Sequence, residues 1–188
     1  MNVELVQWQQ IDDSTGLVMP WFTHPCLDWL KEQDWSDKNV IMFGAGMGDA
    51  WLAKKCKNLT VVERNQAWLE KASTYASENV AIVKYILREC NDSSGMAEYY
   101  CEIPSHIKYD VIINDDAYRT ELCQVAVDYF KTNGGGIFIA DNWVQSFVWI
   151  SHKAEEIMQP YEGMMFEQSD HTDNDGINKW KTAVWNIK

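Results

Sequence analysis

Short β-rich apolar runs take turns along this chain with longer stretches whose apolar residues recur at helical spacing. Residues 40–43 (VIMF) form the first run, and Ala50, Ala53 and Cys56 then repeat at the spacing of a helix. Residues 59–62 are a second run, closed by Glu63, and Asn65 is a good N-cap for a helix carrying Trp68, Leu69, Ala72 and Tyr75 on one face. A third strand is predicted over 80–86, whereas 88–106 are polar and fix no element. YDVIIN at 109–114 predicts a fourth strand that runs into Asp115 and Asp116. Leu122, Val125, Ala126, Tyr129 and Phe130 make a helical stripe stopped by Gly134, Gly135 and Gly136. A fifth strand over 137–140 ends at Asp141 and Asn142. Trp143, Phe147, Ile150 and Ile157 then mark a helix that Pro160 ends. Runs at 164–168 and 180–187, joined by the loop sequence HTDNDGIN, complete the pattern. Upstream, 1–38 is aromatic and irregular, with Pro20 and Pro25 flanking WFTH and a short helix predicted over 26–31. Alternation of this kind predicts an α/β fold with a largely parallel sheet.

Between the first two runs stand Gly44, Gly46 and Gly48, at every second position. Strand, glycine turn, helix, strand and acid, in that order, form the grammar of a nucleotide-binding βαβ unit. The turn lets backbone N–H groups approach a ligand, and Glu63 is placed to accept two ribose hydroxyls. The dinucleotide fingerprint is GxGxxG, but here Asp49 takes the place of its third glycine and the chain reads GxGxG.

That form resembles motif I of the class I S-adenosylmethionine-dependent methyltransferases. The resemblance implies a Rossmann-like, seven-stranded, mostly parallel sheet with an antiparallel last strand and helices on both faces. It implies S-adenosylmethionine as cofactor, bound by Gly44, Ala45, Gly46, Gly48, Asp49, Glu63, Arg64 and Asp115. Family members commonly carry an acid two residues before the first glycine. This chain has Met42 there, which leaves Asp49 to orient the methionine end. The ending helix–strand–loop–strand suits this family. A dinucleotide-dependent dehydrogenase usually needs a second, substrate-binding domain, so an NAD-binding oxidoreductase ranks as a remote alternative.

Two narrower resemblances concern the strand ends. PWFTHPCLDWL, FGAGMGDAWLAKK, VVERNQAWLEK, YDVIINDDAYRTELCQVAVDYF, GGGIFIADNW and NKWKTAVWNI look like a group of bacterial methyltransferase-like proteins often found near polysaccharide genes. Its Ile-Asp-Gly pattern followed by an arginine is matched by Asp115 and Arg119, with Asp116 in place of the glycine. More locally, Asp115, Asp141 and Asn142 resemble the Mg²⁺ ligands of the catechol and caffeoyl-CoA O-methyltransferases. The lysine of that family is Tyr118 here, so a metal is not expected.

Composition narrows the partners. At 188 residues the chain is expected to be one domain, with 1–38 as a lid or substrate segment and 39–188 as the Rossmann-like unit. A net charge of −12 without a Lys/Arg cluster speaks against nucleic acid as partner or methyl acceptor. Cys26, Cys56, Cys90, Cys101 and Cys123 are odd in number and form no CxxC pair, which reads as reduced thiols in a cytoplasmic protein. No signal peptide is visible, and no uncharged apolar run approaches membrane-spanning length. Homo-oligomer formation is left open.

The expected activity is methyl transfer to a small molecule, at oxygen. Such transfer needs alignment of the nucleophile with the methyl carbon and a base. Asp115, Asp141 and His24 are the candidate bases, and Trp21, Trp51 and Trp143 the candidate walls of the adenine or acceptor site. The competing expectation is a catalytically silent protein that keeps the fold and the cofactor.

Overall fold

The strand residues 40–43 send alternate side chains to opposite faces, and both faces are buried. The computed structural model describes residues 9–80, 83–90, 96–143, 152–172 and 179–188, with the backbone alone at 169–172 and 179. The N-terminal segment forms a hairpin, β1 (Ile11–Asp12) and β2 (Leu17–Val18), followed by helix α1 (His24–Glu32). Then come β3 (Trp35–Phe43), α2 (Asp49–Lys55), β4 (Cys56–Glu63), α3 (Gln66–Asn79) and β5 (Lys84–Leu87). The second half contains α4 (Ala97–Cys101), β6 (Val111–Asn114), α5 (Arg119–Asn133), β7 (Gly136–Ala140), α6 (His152–Met158), β8 (Glu162–Thr172) and β9 (Lys179–Ile187).

Seven strands join in the order β5-β4-β3-β6-β7-β9-β8. The five strands from β5 to β7 pair in parallel, while β9 runs antiparallel between β7 and β8. From β3 the chain steps outward through β4 to β5, then returns to lay β6 on the other side of β3. The carboxyl ends of β3 and β6 therefore face each other at the topological switch point, where ligands of open α/β sheets bind.

Alternation along the strands builds two core layers. Val40, Met42, Val61, Val111 and Ile113 pack on one face with Leu27, Leu30, Trp51, Leu52 and Ala72 from α1, α2 and α3. Ile41, Phe43, Val62, Ile112 and Phe138 pack on the other with Tyr100, Leu122, Phe130 and Met158 from α4, α5 and α6. Asn65 caps α3 by accepting from the Trp68 N–H at 2.9 Å, and α5 ends at Gly134 in the left-handed region (φ 82°).

The structure revises several boundaries. β3 begins at Trp35, so the boundary expected at 38/39 falls inside a strand. Cys56 opens β4 rather than closing α2. Val80 caps α3, residues 81–82 lie outside the described residues, and β5 is confined to 84–87. Within the helix expected after Trp143, residues 144–151 lie outside the described residues, and α6 covers its end. β8 extends to Thr172, and residues 173–178 of the expected loop also lie outside. Cys26, Cys56, Cys101 and Cys123 are free thiols. Among the described residues, no helix is long and apolar enough to cross a membrane.

Candidate cofactor site and active site

The three glycines of the turn differ in what surrounds them. Gly44 has φ +98°, and a Cβ there would stand 2.5 Å from the Asp115 carbonyl oxygen. It is the point where the turn after β3 and the turn after β6 touch. Gly48 has no room because a Cβ would lie 2.5 Å from the Pro20 backbone, which packs the N-terminal segment onto the turn. At Gly46 a Cβ would meet nothing nearer than the Gly48 nitrogen at 3.9 Å, and φ is not positive. Gly46 therefore faces open space, the one position of the three where the protein itself does not exclude a side chain.

Two clefts open beside this turn. The smaller, about 430 Å³, is lined by Gly44, Ala45, Glu63, Arg64, Trp68 and Asp116 among others. Glu63 lies at its base, and its carboxylate accepts backbone N–H groups from Ala45 at 2.8 Å, Arg64 at 2.9 Å and Asn65 at 2.7 Å. Burial raises its pKa, and the three amides oppose the rise. A carboxylate offers about four acceptor positions, so one remains, on Oε2. Glu63 thus knits the glycine turn to the end of β4. Arg64 donates from Nε to Asp116 at 3.1 Å, and the Tyr100 hydroxyl donates to the other Asp116 oxygen.

The larger cleft, about 630 Å³, is lined by Gly46, Met47, Gly48, Asp49 and Asp115, and by Pro20 and Trp21 of the N-terminal segment. Ala45, Trp68 and Asp115 belong to both clefts. The Trp68 indole N–H donates to the Ala45 carbonyl, laying a 40% exposed ring across the turn between the two spaces. Trp68 was not singled out from the sequence as a site residue, because its helical spacing reads as core. Its position five residues after Glu63, on the first turn of α3, was the available signal. Of the expected aromatic walls, Trp21 lines the larger of these clefts; Trp51 lies outside both and donates to Asp12 at 2.6 Å, and Trp143 packs edge-on against Trp185.

Asp49 is fully buried under the turn. Both its oxygens accept from the Gly46 N–H at 3.1 Å, and the Tyr85 hydroxyl donates to it at 3.0 Å. Burial pushes its pKa up to about 7, with the two donors opposing and nearby Glu63 adding to the rise. An acid whose folded pKa is raised above its unfolded value costs stability as pH rises between the two values, here from about 4 to about 7. Asn at this position could accept from Gly46 and donate to Tyr85 without that cost. Asp49→Asn is therefore expected to stabilise the protein at pH 8 by on the order of 4 kcal/mol relative to its effect at pH 4. Thermal melts of both proteins across this range check the result; parallel melting curves would contradict it.

At the ends of β6 and β7 the acids divide. Asp115 lines both clefts, and its pKa is raised by burial and by Asp141, with Arg119 opposing. Asp141 lines neither. It is 1% exposed, and its carboxylate accepts from Trp180 Nε1 at 3.2 and 3.1 Å and from the Thr182 hydroxyl at 2.5 Å. Both donors come from β9, so Asp141 ties β7 to the antiparallel strand. His24 starts α1, where its backbone N–H donates to Gln168 at 2.9 Å, and it lines neither cleft.

Asp115, Asp141 and Asn142 do not fit a divalent cation. Asn142 Oδ1 accepts from Arg119 Nη2 at 3.0 Å, Asp141 is engaged as above, and the guanidinium already stands 3.9 Å from Asp115. A hard cation needs those same oxygens.

No family model matches the chain. Over 144 residues it is 28% identical to the ribosomal protein L11 methyltransferase of Shewanella baltica OS195, covering 68% of this chain and 46% of that protein. The chain thus spans about half the length of the curated relatives it matches. Among solved structures, the N-methyltransferase NodS of Bradyrhizobium japonicum is similar with a TM-score of 0.60 at 13% identity, covering 87% of this chain and 93% of that one. The magnesium protoporphyrin IX methyltransferase ChlM of Synechocystis, with bound S-adenosylmethionine, also has a TM-score of 0.60, at 12% identity over 87% of this chain and 77% of that one. The fold is that of the class I S-adenosylmethionine-dependent methyltransferases. The curated relatives and the solved structures named here are methyltransferases, and one of those structures holds S-adenosylmethionine. By their names these relatives concern a ribosomal protein and a magnesium porphyrin, so they fix no acceptor.

Proposed function

We propose that this protein transfers the methyl group of S-adenosylmethionine to an oxygen atom of a small molecule. The observation that carries the proposal is the open space at Gly46, at the switch point and between two clefts that share Ala45, Trp68 and Asp115. Adenosine takes the smaller cleft, with one ribose hydroxyl donating to Glu63 Oε2 and Arg64 beside it. The methionine end passes Gly46, which brings the sulfonium toward Asp115. The acceptor enters the larger cleft beneath Pro20 and Trp21, which gives the N-terminal segment its role as lid.

Transfer is a direct displacement. The acceptor oxygen bonds to the methyl carbon, the carbon–sulfur electron pair returns to sulfur, and the hydroxyl proton passes to Asp115. Burial and the neighbouring Asp141 raise its pKa, which makes it a stronger base toward that proton than an ordinary carboxylate. Asp141 and His24, which line neither cleft, serve position rather than proton transfer. A concave acceptor cleft of about 630 Å³ on a chain of net charge −12 favours a small molecule over an RNA.

Glu63→Gln is expected to weaken S-adenosylmethionine roughly tenfold to a hundredfold, the cost of a charge-assisted hydrogen bond. A 2′-deoxy and a 3′-deoxy cofactor, titrated separately, identify the hydroxyl it holds. Equal affinity for both and for the parent would remove Glu63 from the site. Activity is tested by offering methyl-labelled S-adenosylmethionine with pooled phenols, sugars and amines, using wild type and Asp115→Asn. Label on an oxygen of one acceptor, lost in the variant and indifferent to EDTA, is the expected result. Label on nitrogen overturns the oxygen assignment. Cofactor binding without transfer to any pool favours the silent alternative, for which Met42 at the usual acid position is the supporting observation.

A further inference from the structure

Arg119 is nearly fully buried at the start of α5, in the middle of the strand ends. Its guanidinium reaches four residues there. Nε donates to the Asp141 carbonyl at 2.9 Å, Nη2 donates to Asn142 Oδ1 at 3.0 Å, and Nη1 donates to the Asp116 carbonyl. Nη2 also stands 3.9 Å from Asp115 Oδ1. The turns after β6 and β7 are thereby tied to one planar fork, a geometry an ammonium cannot reproduce.

Two non-glycine residues with positive φ flank this fork. Tyr118, immediately before Arg119, has φ 57°, and Asn142, which accepts from it, has φ 51°. Such backbone costs on the order of 1–3 kcal/mol per residue and persists where surrounding contacts over-determine it. The Arg119 contacts to Asn142 and to the Asp116 and Asp141 carbonyls are contacts of that kind. The strained turns carry Asp115, the acid that faces both clefts.

Charge is the second part of the arrangement. Asp115 faces Asp141 from the end of β7, Asp116 from its own turn, Asp49 from the start of α2, and Arg119 from α5. Arg119 in turn faces Asp115, Asp141, Asp116 and Tyr100. Among the described residues, Asp141, Asp116 and Asp49 raise the pKa of Asp115, and the Arg119 guanidinium opposes them.

We infer that Arg119 is a positioning residue that orients Asp115 toward the sulfonium and keeps its carboxylate ionised in a site of like charges. The inference rests on the proposed function, since it takes Asp115 as the neighbour of the sulfonium. An ionised Asp115 favours the cationic cofactor over its neutral product, S-adenosylhomocysteine. That preference therefore rises with pH as Asp115 ionises, and Arg119 sets where the rise occurs. An opposite charge within about 4–6 Å lowers a carboxylate pKa by roughly 1–3 units, and its removal returns the same amount.

The test is calorimetric titration with S-adenosylmethionine and with S-adenosylhomocysteine between pH 5.5 and 9. Wild type, Arg119→Lys, Arg119→Met and Asp115→Asn are compared. The midpoint of the preference should move up by roughly one unit or more in Arg119→Met. It should stay within about half a unit in Arg119→Lys, which keeps the charge and loses the fork. Both variants lose thermal stability, so stability alone would not separate charge from scaffolding, whereas the midpoint does. Asp115→Asn should abolish the pH dependence. Equal midpoints in wild type and Arg119→Met overturn the inference. Should Arg119→Met fail to fold, a retained pH dependence in Asp115→Asn overturns it equally. Wild type that binds neither compound overturns the proposed function itself, a different result from binding without a shift.

Discussion

Gly46→Val is expected to abolish S-adenosylmethionine binding while leaving the fold and its stability close to wild type. The apo protein has room for a Cβ here, with the nearest atom at 3.9 Å and no positive φ to oppose it. The space it fills is the space assigned to the methionine end. Affinity should fall by at least roughly a hundredfold, about 2.7 kcal/mol. Circular dichroism and thermal melting check the fold, and calorimetry checks the binding. A variant that binds like wild type would mean the ligand does not pass this turn.

Gly44→Ala is expected to do the reverse and damage the fold first. Its φ of +98° disfavours any side chain, and the new Cβ would stand 2.5 Å from the Asp115 carbonyl oxygen and 2.9 Å from its carbon. Neither atom belongs to a flexible side chain, so the two turns at the switch point must separate. Strain and overpacking together should cost about 2–4 kcal/mol. For a domain of this size that lowers the melting temperature by roughly 5–15 °C. Urea denaturation measures the loss directly; an unchanged midpoint would contradict the packing described for Gly44. The two substitutions, two residues apart, thus separate a glycine kept for the ligand from one kept for the chain.

Much of the architecture was legible because it depends on local patterns. Residues 40–43, 59–62 and 111–113 are largely apolar on both faces, which marks them as central parallel strands, and the glycines between the first two mark a tight turn at the switch point. The placement of Glu63 followed from the same local unit. What its carboxylate does was not legible, because three nearby N–H groups compete for its oxygens, and that depends on backbone direction.

Asp141 shows the limit more plainly. As the last residue of a strand it reads like Asp115, yet its partners Trp180 and Thr182 are 39 and 41 residues away. They reach it only because β9 inserts antiparallel beside β7. Arg119 stands in a recognisable pattern after Asp115, but its contact with Asn142 spans 23 residues and needs both turns in place. Trp68 was read as core by its helical period, although the first turn of α3 leaves one face of its ring over the glycine turn. Cys56 kept helical spacing with Ala50 and Ala53, and was claimed by the strand because β4 begins pairing with β3 there.

The most direct test of the central claim is a calorimetric titration of the wild-type protein with S-adenosylmethionine and, separately, with NADH. Saturable binding of S-adenosylmethionine at one site per chain, absent in Gly46→Val, together with no heat from NADH, is the predicted result. Saturable binding of NADH with none of S-adenosylmethionine would contradict the account at its root.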